Sequence, residues 1–315
     1  MPLPEWLIER GIGEIRAALV EGDKILEARI LRDGVVSAGT ILEASLKTTG
    51  RNAITVADGE EYLLPRGAPG LTEGARLNIE VVRESLGRAE SWKRPLARMT
   101  NEAARPAPAM QGRMLQFPAA SDELERAGWA DLLDEARSAV IAFPGGELRI
   151  SLTPAMTLID VDGHLPPAEL AVAGASAAAA VIRRHGIGGS IGIDLPTVEG
   201  KTARQAAAAA VDRRLPQPFE RTAVNGFGFI QIVRPRTRAS LLELASDRPG
   251  FEARALLRQA AREIGSLRLV SHPAVITVLE GKPQWVEQLA SQVGGSVSLR
   301  AEPSIAMSAG YAERF

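Results

Sequence analysis

At 315 residues the chain is long enough for about two domains of ordinary size. Hydrophobic residues make up 45% and charged residues 24%, which fits a globular chain with a substantial core, and zero cysteines exclude a disulfide scaffold, a thiolate nucleophile, an iron–sulfur cluster and cysteine-ligated zinc. With 37 Lys and Arg against 38 Asp and Glu the chain is not a polycation, so any nucleic-acid binding has to come from a local basic surface.

In chain order, Met1-Pro2-Leu3-Pro4-Glu5 carries neither a cationic start nor an apolar signal core, so a cytoplasmic location is expected. Residues 11–31 predict a hairpin, in which 14–20 and 24–30 flank the turn-forming Glu21-Gly22-Asp23. Strand-like runs follow at 39–48, 52–57, 61–64 and 75–83, punctuated by Asp58-Gly59, Pro65 and Pro69-Gly70. Such spacing fits a small closed barrel, of which the OB-fold is the common nucleic-acid-binding form, or equally a meander with no ligand. Residues 88–113 change character. Arg88, Lys93, Arg94, Arg98, Arg105 and Arg113 face only Glu90 and Glu102, a local balance of +4, and Trp92 sits inside the run. Residues 88–98 are expected to form a basic edge for a phosphate backbone and a stacked base, whereas 103–118, with its Ala/Pro run, reads as linker.

The second half alternates helix and strand. Residues 122–140 predict one amphipathic helix capped by Asp122 or Ser121. Strands are expected at 147–152 and 156–161, then an Ala-rich helix over 169–184 ended by Gly186. That helix holds the longest run without a charge, Leu170 to Ile182, at 13 residues short of the roughly 20 a membrane span needs. A strand at 191–193, a second Ala-rich helix at 202–215 and a strand at 228–233 complete an α/β layer. Beyond it, helices at 251–264 and 284–292 precede a strand at 296–300, and periodicity leaves 273–279 open between strand and short helix.

Two aspartates stand at the carboxyl ends of apolar strands, Asp160 in Thr157-Leu158-Ile159-Asp160-Val161-Asp162-Gly163 and Asp194 in Ser190-Ile191-Gly192-Ile193-Asp194. Ligands of α/β sheets collect beyond such ends. If the two strands are neighbours, Asp160 and Asp194, with Asp162 close by, suit Mg²⁺, which takes one or two carboxylates and completes its shell with water and phosphate. A lone strand-ending Asp, by contrast, is ordinarily a turn former. Gly200-Lys201-Thr202 looks like the end of a phosphate loop, but Leu195 stands where a Walker A glycine is required. Lys201 and Arg204 therefore read as phosphate contacts beside Asp194 or as ordinary helix-surface charges. His164, His185 and His272 lack ligand spacing.

Five segments in register resemble the ribonuclease E/G family. Glu14 to Leu26 resembles its opening strands. Pro144-Gly145-Gly146 leading to Thr157-Leu158-Ile159-Asp160-Val161-Asp162-Gly163 resembles the first catalytic strand pair. Gly188-Gly189-Ser190-Ile191-Gly192-Ile193-Asp194 is similar to the second metal-binding strand. Asn225-Gly226-Phe227-Gly228-Phe229 through Arg234, Arg236 and Arg238 resembles the glycine–aromatic and basic segment, and Val297 to Ser304 with Tyr311 the end of the small C-terminal domain. The resemblance covers the chain from about Ile12 to Phe315.

It implies a mixed α+β fold. A hairpin at 11–33 would join a split RNase H-like N-terminal part, with an OB-fold RNA-binding barrel inserted at 34–88. A basic edge and linker at 89–120, an α/β catalytic domain at 121–245 and a small C-terminal domain at 246–315 would follow. It also implies a Mg²⁺-dependent (or Mn²⁺-dependent) endoribonuclease acting on single-stranded RNA and leaving a 5′-phosphate. Asp160 and Asp194 would be catalytic and hold the metal. Asp162, where the family usually has Asn, would add charge beside the ion. Candidate RNA contacts are Tyr62, Arg88, Trp92, Lys93, Arg94, Lys201, Arg204, Phe227, Phe229 and Arg236. For Tyr62, base stacking and a place in the barrel stay equally open, as do core and RNA for Phe227 and Phe229, which a continuous strand would turn to one side.

Three departures from the family pattern carry expectations. Without cysteine there is no zinc link, hence no zinc-clamped tetramer, and a monomer or a dimer built otherwise remains. Only about 40 residues stand where the family's 5′-phosphate sensor lies, and no adjacent Arg-Thr pair is among them, so cleavage is expected to be indifferent to a 5′-monophosphate. The long scaffold tail of some members has no counterpart in this sequence, so no degradosome platform is expected. The alternative function is a non-catalytic RNA-binding protein on the same scaffold, reading single strands by stacking.

Overall fold

The computed structural model describes residues 3–119 and 121–315, without the side chains of Arg88 and Ala89. The chain divides into two compact units: one built from residues up to Asp33, Gly112–Arg137 and Leu244–Phe315, the other from Gly34–Gln111 and Ser138–Glu243. The architecture is mixed α+β, with eight α-helices among the described residues, several sheets and one closed five-stranded barrel.

The first unit opens with an antiparallel meander of β1 (Glu5–Arg10), β2 (Glu14–Glu21) and β3 (Lys24–Arg32). The β2–β3 pair is the predicted hairpin. Pairing of Leu7 with Ala18 and Glu9 with Arg16 sets these four residues on one face of the sheet, and all four are buried.

The second unit begins with the barrel: β4 (Ile41–Leu46), β5 (Ala53–Ala57), β6 (Glu60–Leu64), β7 (Arg76–Arg83) and β8 (Leu96–Thr100), in the order β4-β5-β6-β8-β7. Closure comes from β4 pairing with β7, and β6 runs parallel to β8. Its interior is filled by Ala44, Leu46, Ala53, Ala57, Leu64, Ile79, Val81, Ala97 and one large ring, Tyr62. The four expected barrel strands are present, and the closing fifth lies inside the stretch read as basic edge and linker. Arg98 disguises it: alternation puts Ala97 inside at 1% exposure and the arginine outside, where it bonds Glu80 at 2.7 Å.

The chain returns to the first unit through β9 (Arg113–Leu115), which pairs parallel with β1. The helix expected over 122–140 is two helices, α1 (Glu123–Arg126) and α2 (Trp129–Ser138). Asp122 caps α1 by accepting from the Leu124 and Glu125 amides, as predicted for this position. Gly128 then takes φ +95°, a left-handed conformation that ends one helix and re-aims the next.

A six-stranded sheet completes the second unit: β10 (Val140–Phe143), β11 (Gly146–Leu152), β12 (Thr157–Gly163), α3 (Pro167–Arg184), β13 (Gly189–Asp194), α4 (Lys201–Arg214), β14 (Glu220–Arg221) and β15 (Phe229–Arg234), in the order β10-β11-β12-β13-β15-β14. Val140, expected at a helix end, opens β10. Only β12 and β13 pair in parallel, joined by the α3 crossover. Leu148, Ile150, Ile159, Val161, Ile191, Ile193, Ile230 and Ile232 form one buried face. Ala175, Ala178 and Ala179 of α3 and Ala207 and Ala210 of α4 join the same core. Side chains this short let both helices lie close to the sheet, which is why the sequence is so rich in alanine there.

The C-terminal part of the first unit follows α5 (Leu241–Ser246), the element that ends the second and opens this stretch. It holds α6 (Arg248–Ala260), β16 (Leu267–Ser271), α7 (Pro273–Glu280), α8 (Pro283–Val293), β17 (Val297–Ala301) and β18 (Tyr311–Arg314), with sheet order β17-β16-β18. The stretch that periodicity left open is helix: Pro273 sits in its first turn and His272 Nδ1 caps it, accepting from the Ala274 amide at 3.2 Å. Leu256, Leu257, Leu267, Leu269, Val275, Leu279, Trp285 and Leu289 form its core together with Ile12 from the N-terminal segment. Among the described residues no helix is long and apolar enough to cross a membrane.

Candidate functional site

The parallel pairing of β12 with β13 sets Asp160 directly opposite Asp194. The same register continues across neighbouring strands, Arg149 of β11 opposing Asp160 and Phe229 of β15 opposing Asp194. A cation, two carboxylates and an aromatic ring thus form one row across four strands. Because Ile159, Val161 and Ile193 beside them face the helices, alternation sends the row to the opposite side of the sheet, where Arg149, Asp160 and Asp194 are all exposed. Asp162 stands one pleat further along the same face, about 6.7 Å on at two residues' rise.

Gly192 explains how an aromatic fits beside the carboxylates. A Cβ at Gly192 would lie 2.5 Å from the tip of the Phe229 ring and 3.0 Å from Leu158 Cδ2, so the ring lies flat where any other residue would lift it. The turn before β15 presents a second aromatic differently. Asn225 Oδ1 accepts from the Phe227 and Phe229 amides at 2.9 and 3.0 Å, and the Thr197 hydroxyl donates to the Phe227 carbonyl at 3.2 Å. Phe227 is left 83% exposed on an immobilised backbone. The two rings therefore do not share one strand face: Phe229 is strand and half-buried, Phe227 is turn and free.

The Asp160 carboxyl is held above its ordinary range, first by partial burial and then by the charges of Asp162 and Asp194, with Arg149 opposing weakly. A carboxyl raised in the folded state binds more protons folded than unfolded, so this group costs stability as the pH rises through that interval. Like charges crowded on one edge form a site that a cation relieves. The donor set is all oxygen, with no thiolate or imidazole, which suits a hard dication. Among the described residues no three acidic or histidine side chains are gathered as a ready-made cage. The fit is of the two-carboxylate kind: adjacent strands stand about 4.8 Å apart, a gap two carboxylates can close around one ion, leaving the remaining positions to water and phosphate.

The other sequence candidates are scattered. Tyr62, at 1% exposure, is a barrel-core residue whose hydroxyl donates to Glu60 at 3.2 Å, and burial pushes its pKa up; stacking on a base from there is sterically closed. Trp92 is 61% exposed. Lys93 pairs with Glu90 at 2.6 Å and Arg94 with Glu61 at 2.7 Å. Arg236, unlike the exposed Arg94, is largely withdrawn from solvent; it joins Glu90 at 2.6 Å and Glu243. Burial would raise the Glu90 carboxyl, but hydrogen bonds from Lys93 and Arg236 outweigh it and leave the pKa lowered. With the Glu84 amide bonded to the Thr237 carbonyl at 2.8 Å, this cluster fastens the segment after the barrel to the segment after β15. Lys201 is exposed, Arg204 donates to the Val198 carbonyl at 3.2 Å, and the Arg88 side chain lies outside the described residues.

Sequence reasoning missed Arg149 and the role of Gly192. Both had a signal, an Arg at an alternating position in 147–152 and a glycine inside a strand, but the signal needed the register to be read. In comparisons with known proteins, no family model matches the chain and no curated protein matches it.

Proposed function

We propose that the protein is a member of the ribonuclease E/G family, a divalent-cation-dependent endoribonuclease acting on single-stranded RNA. The observation that carries this reading is the pairing of Asp160 with Asp194 at the carboxyl ends of parallel strands, on the uncovered face of the sheet. These two residues would hold Mg²⁺, or Mn²⁺ in its place, with Asp162 adding negative charge. When bound, such an ion supplies charge neutralisation at the scissile phosphate and a water of lowered pKa.

The chain's own residues would do the positioning. Phe227 offers a rigidly held ring for a base beside the carboxylates, and Phe229 forms an apolar floor that keeps water from one side. Arg149, whose exposed guanidinium pairs with Glu147 on the same strand, would add a cation for a neighbouring phosphate. The barrel's strand order, first-second-third-fifth-fourth with the third parallel to the fifth, supports an OB-like reading. Within residues 34–111 the aromatic side chains are Tyr62 and Trp92 alone, and with Tyr62 inside, Trp92 would be the stacking platform of that region. Replacing either Phe227 or Trp92 with Ala is expected to weaken RNA binding by about 1–3 kcal/mol, the usual loss for one stacked base, with no change in melting temperature. Fluorescence anisotropy on a labelled oligonucleotide measures it.

The test of the reading is direct: incubate end-labelled single-stranded RNA with the protein in Mg²⁺ and in EDTA. Internal cutting in Mg²⁺ alone supports it. Binding without cutting under both conditions selects the non-catalytic RNA-binding alternative, which the short stretch in place of the 5′-sensor and the acidic Asp162 favour. Equal rates on 5′-hydroxyl and 5′-monophosphate RNA are expected; a tenfold preference for the monophosphate would overturn the proposal that no 5′-sensor operates.

A further inference from the structure

A groove of about 510 Å³ runs along the outer side of α4, bounded by β14 and the segment that follows it. Lys201, Arg204, Gln205 and Arg221 line it, over a floor that includes Ala208 and Ala209. Among the described residues that line it there is no carboxylate. On α4, Arg204 and Gln205 lie three and four residues after Lys201, and Ala208 lies four and three after them, so the four share one face of the helix. Arg221 reaches the groove from β14 and is fixed there by Asp212, whose Oδ1 accepts from Nε at 2.7 Å, and by its own bond to the Thr222 carbonyl at 3.0 Å. Of the alanines before Ala210, Ala206 and Ala209 reach the helix surface, where their short side chains do not obstruct a chain lying across it.

The groove has no stacking ring, and its apolar lining is limited to the short side chains of Ala208, Ala209, Ala223 and Val224. Its chemistry is that of cations and one amide over a smooth floor, which recognises a run of phosphates by charge and is indifferent to bases. Its place is informative too. α4 begins seven residues after Asp194, and Val224, at the other edge, leads directly into the turn that exposes Phe227. We propose that this groove binds the phosphodiester backbone of the RNA strand outside the Asp160–Asp194 row, with Lys201, Arg204 and Arg221 as the phosphate contacts and Gln205 as a neutral donor. The proposal rests on the RNA-binding reading for its ligand, not on catalysis.

The experiment is a salt titration of binding, by anisotropy, with a labelled 25-nucleotide single-stranded RNA in EDTA, so that cutting plays no part. The variants are Lys201→Ala/Arg204→Ala and, separately, Gln205→Glu, and both place good helix formers on an exposed helix face. For the double variant the slope of log K against log salt should fall by about 1.4, roughly 0.7 for each lost phosphate contact, with affinity down about tenfold near physiological salt. Gln205→Glu should weaken binding severalfold through repulsion, and the charge-conserving Lys201→Arg/Arg204→Lys should bind as the wild type does. Unchanged slope and affinity in both the double and the Gln205 variants would overturn the groove, even if the wild type cuts RNA. A wild type that binds with the steep slope but never cuts would overturn the ribonuclease and leave the groove standing.

Discussion

Replacing Asp160 or Asp194 with asparagine is expected to lower Mg²⁺-dependent cutting of single-stranded RNA by about a thousandfold or more, the loss that follows from removing roughly 4 kcal/mol of transition-state stabilisation. Asparagine keeps the size and one oxygen of the side chain but removes the charge that makes a hard-cation ligand. The two aspartates act from opposed positions on parallel strands, so neither compensates for the other. The fold should not suffer. The Asp160 carboxyl is held up by burial and by the charges of Asp162 and Asp194, so each substitution relieves repulsion, and in EDTA the melting temperature should stay level or rise by about 2 °C. Asp162→Asn should change the rate far less, because its carboxylate stands a full pleat from the pair. Cutting within tenfold of wild type in both the Asp160 and Asp194 variants, with melting unchanged, would remove the basis for the catalytic assignment.

The second large effect lies in the first unit. Arg16→Met is expected to destabilise that unit by about 3–5 kcal/mol, a fall of roughly 10 °C in its melting temperature. Arg16 is 1% exposed; its Nε and one terminal nitrogen grip Glu9 at 2.6 and 3.0 Å, and it also pairs with Asp122 and, at 3.3 Å, with Glu125. Its guanidinium lies 5.4 Å from the centre of the buried Trp129 ring. Glu9 itself is 3% exposed, so methionine would fill the volume while leaving a carboxylate stranded away from water. Arg16→Lys should recover little, since an ammonium cannot reproduce the two-pronged grip. The paired change Glu9→Leu/Arg16→Met removes the strand-to-strand charge pair from both sides and should be milder than Arg16→Met alone. Urea unfolding of the three variants decides the ordering.

Much of the secondary structure was legible because it depends on short-range pattern. The β2–β3 hairpin, the two alanine-rich helices and the strands carrying Asp160 and Asp194 followed from alternation, helix period and glycine or proline punctuation. What escaped shares a physical cause. β9 is three residues long and exists only because β1 offers it an edge. β8 hides a one-sided strand among charges that belong to its outer face. One helix was expected where Gly128 makes two, since a lone glycine in an amphipathic pattern signals its left-handed φ only once the chain has somewhere else to go. At the candidate site the two aspartates were readable and their neighbours were not. The row from Arg149 through Asp160 and Asp194 to Phe229 is set by pairing across a helical crossover, and no local window contains it. Tyr62 and Arg236 show the opposite error: residue types that suit RNA were consumed by the barrel interior and by a carboxylate cluster.

The first unit is sewn from three separated stretches of chain, and that has a consequence for how it is made. Glu14 leaves the ribosome early, whereas its ion partner Arg258 follows 244 residues later, a delay of roughly 12–50 s at ordinary translation speed. Ile12 waits as long for the helices that bury it. The barrel, contiguous between Ile41 and Thr100, can close within seconds of emerging. The earliest strands are therefore the last to be completed, and a nascent chain halted near Glu243 would carry a finished barrel behind an unprotected N-terminal sheet, the segment a chaperone would be expected to hold.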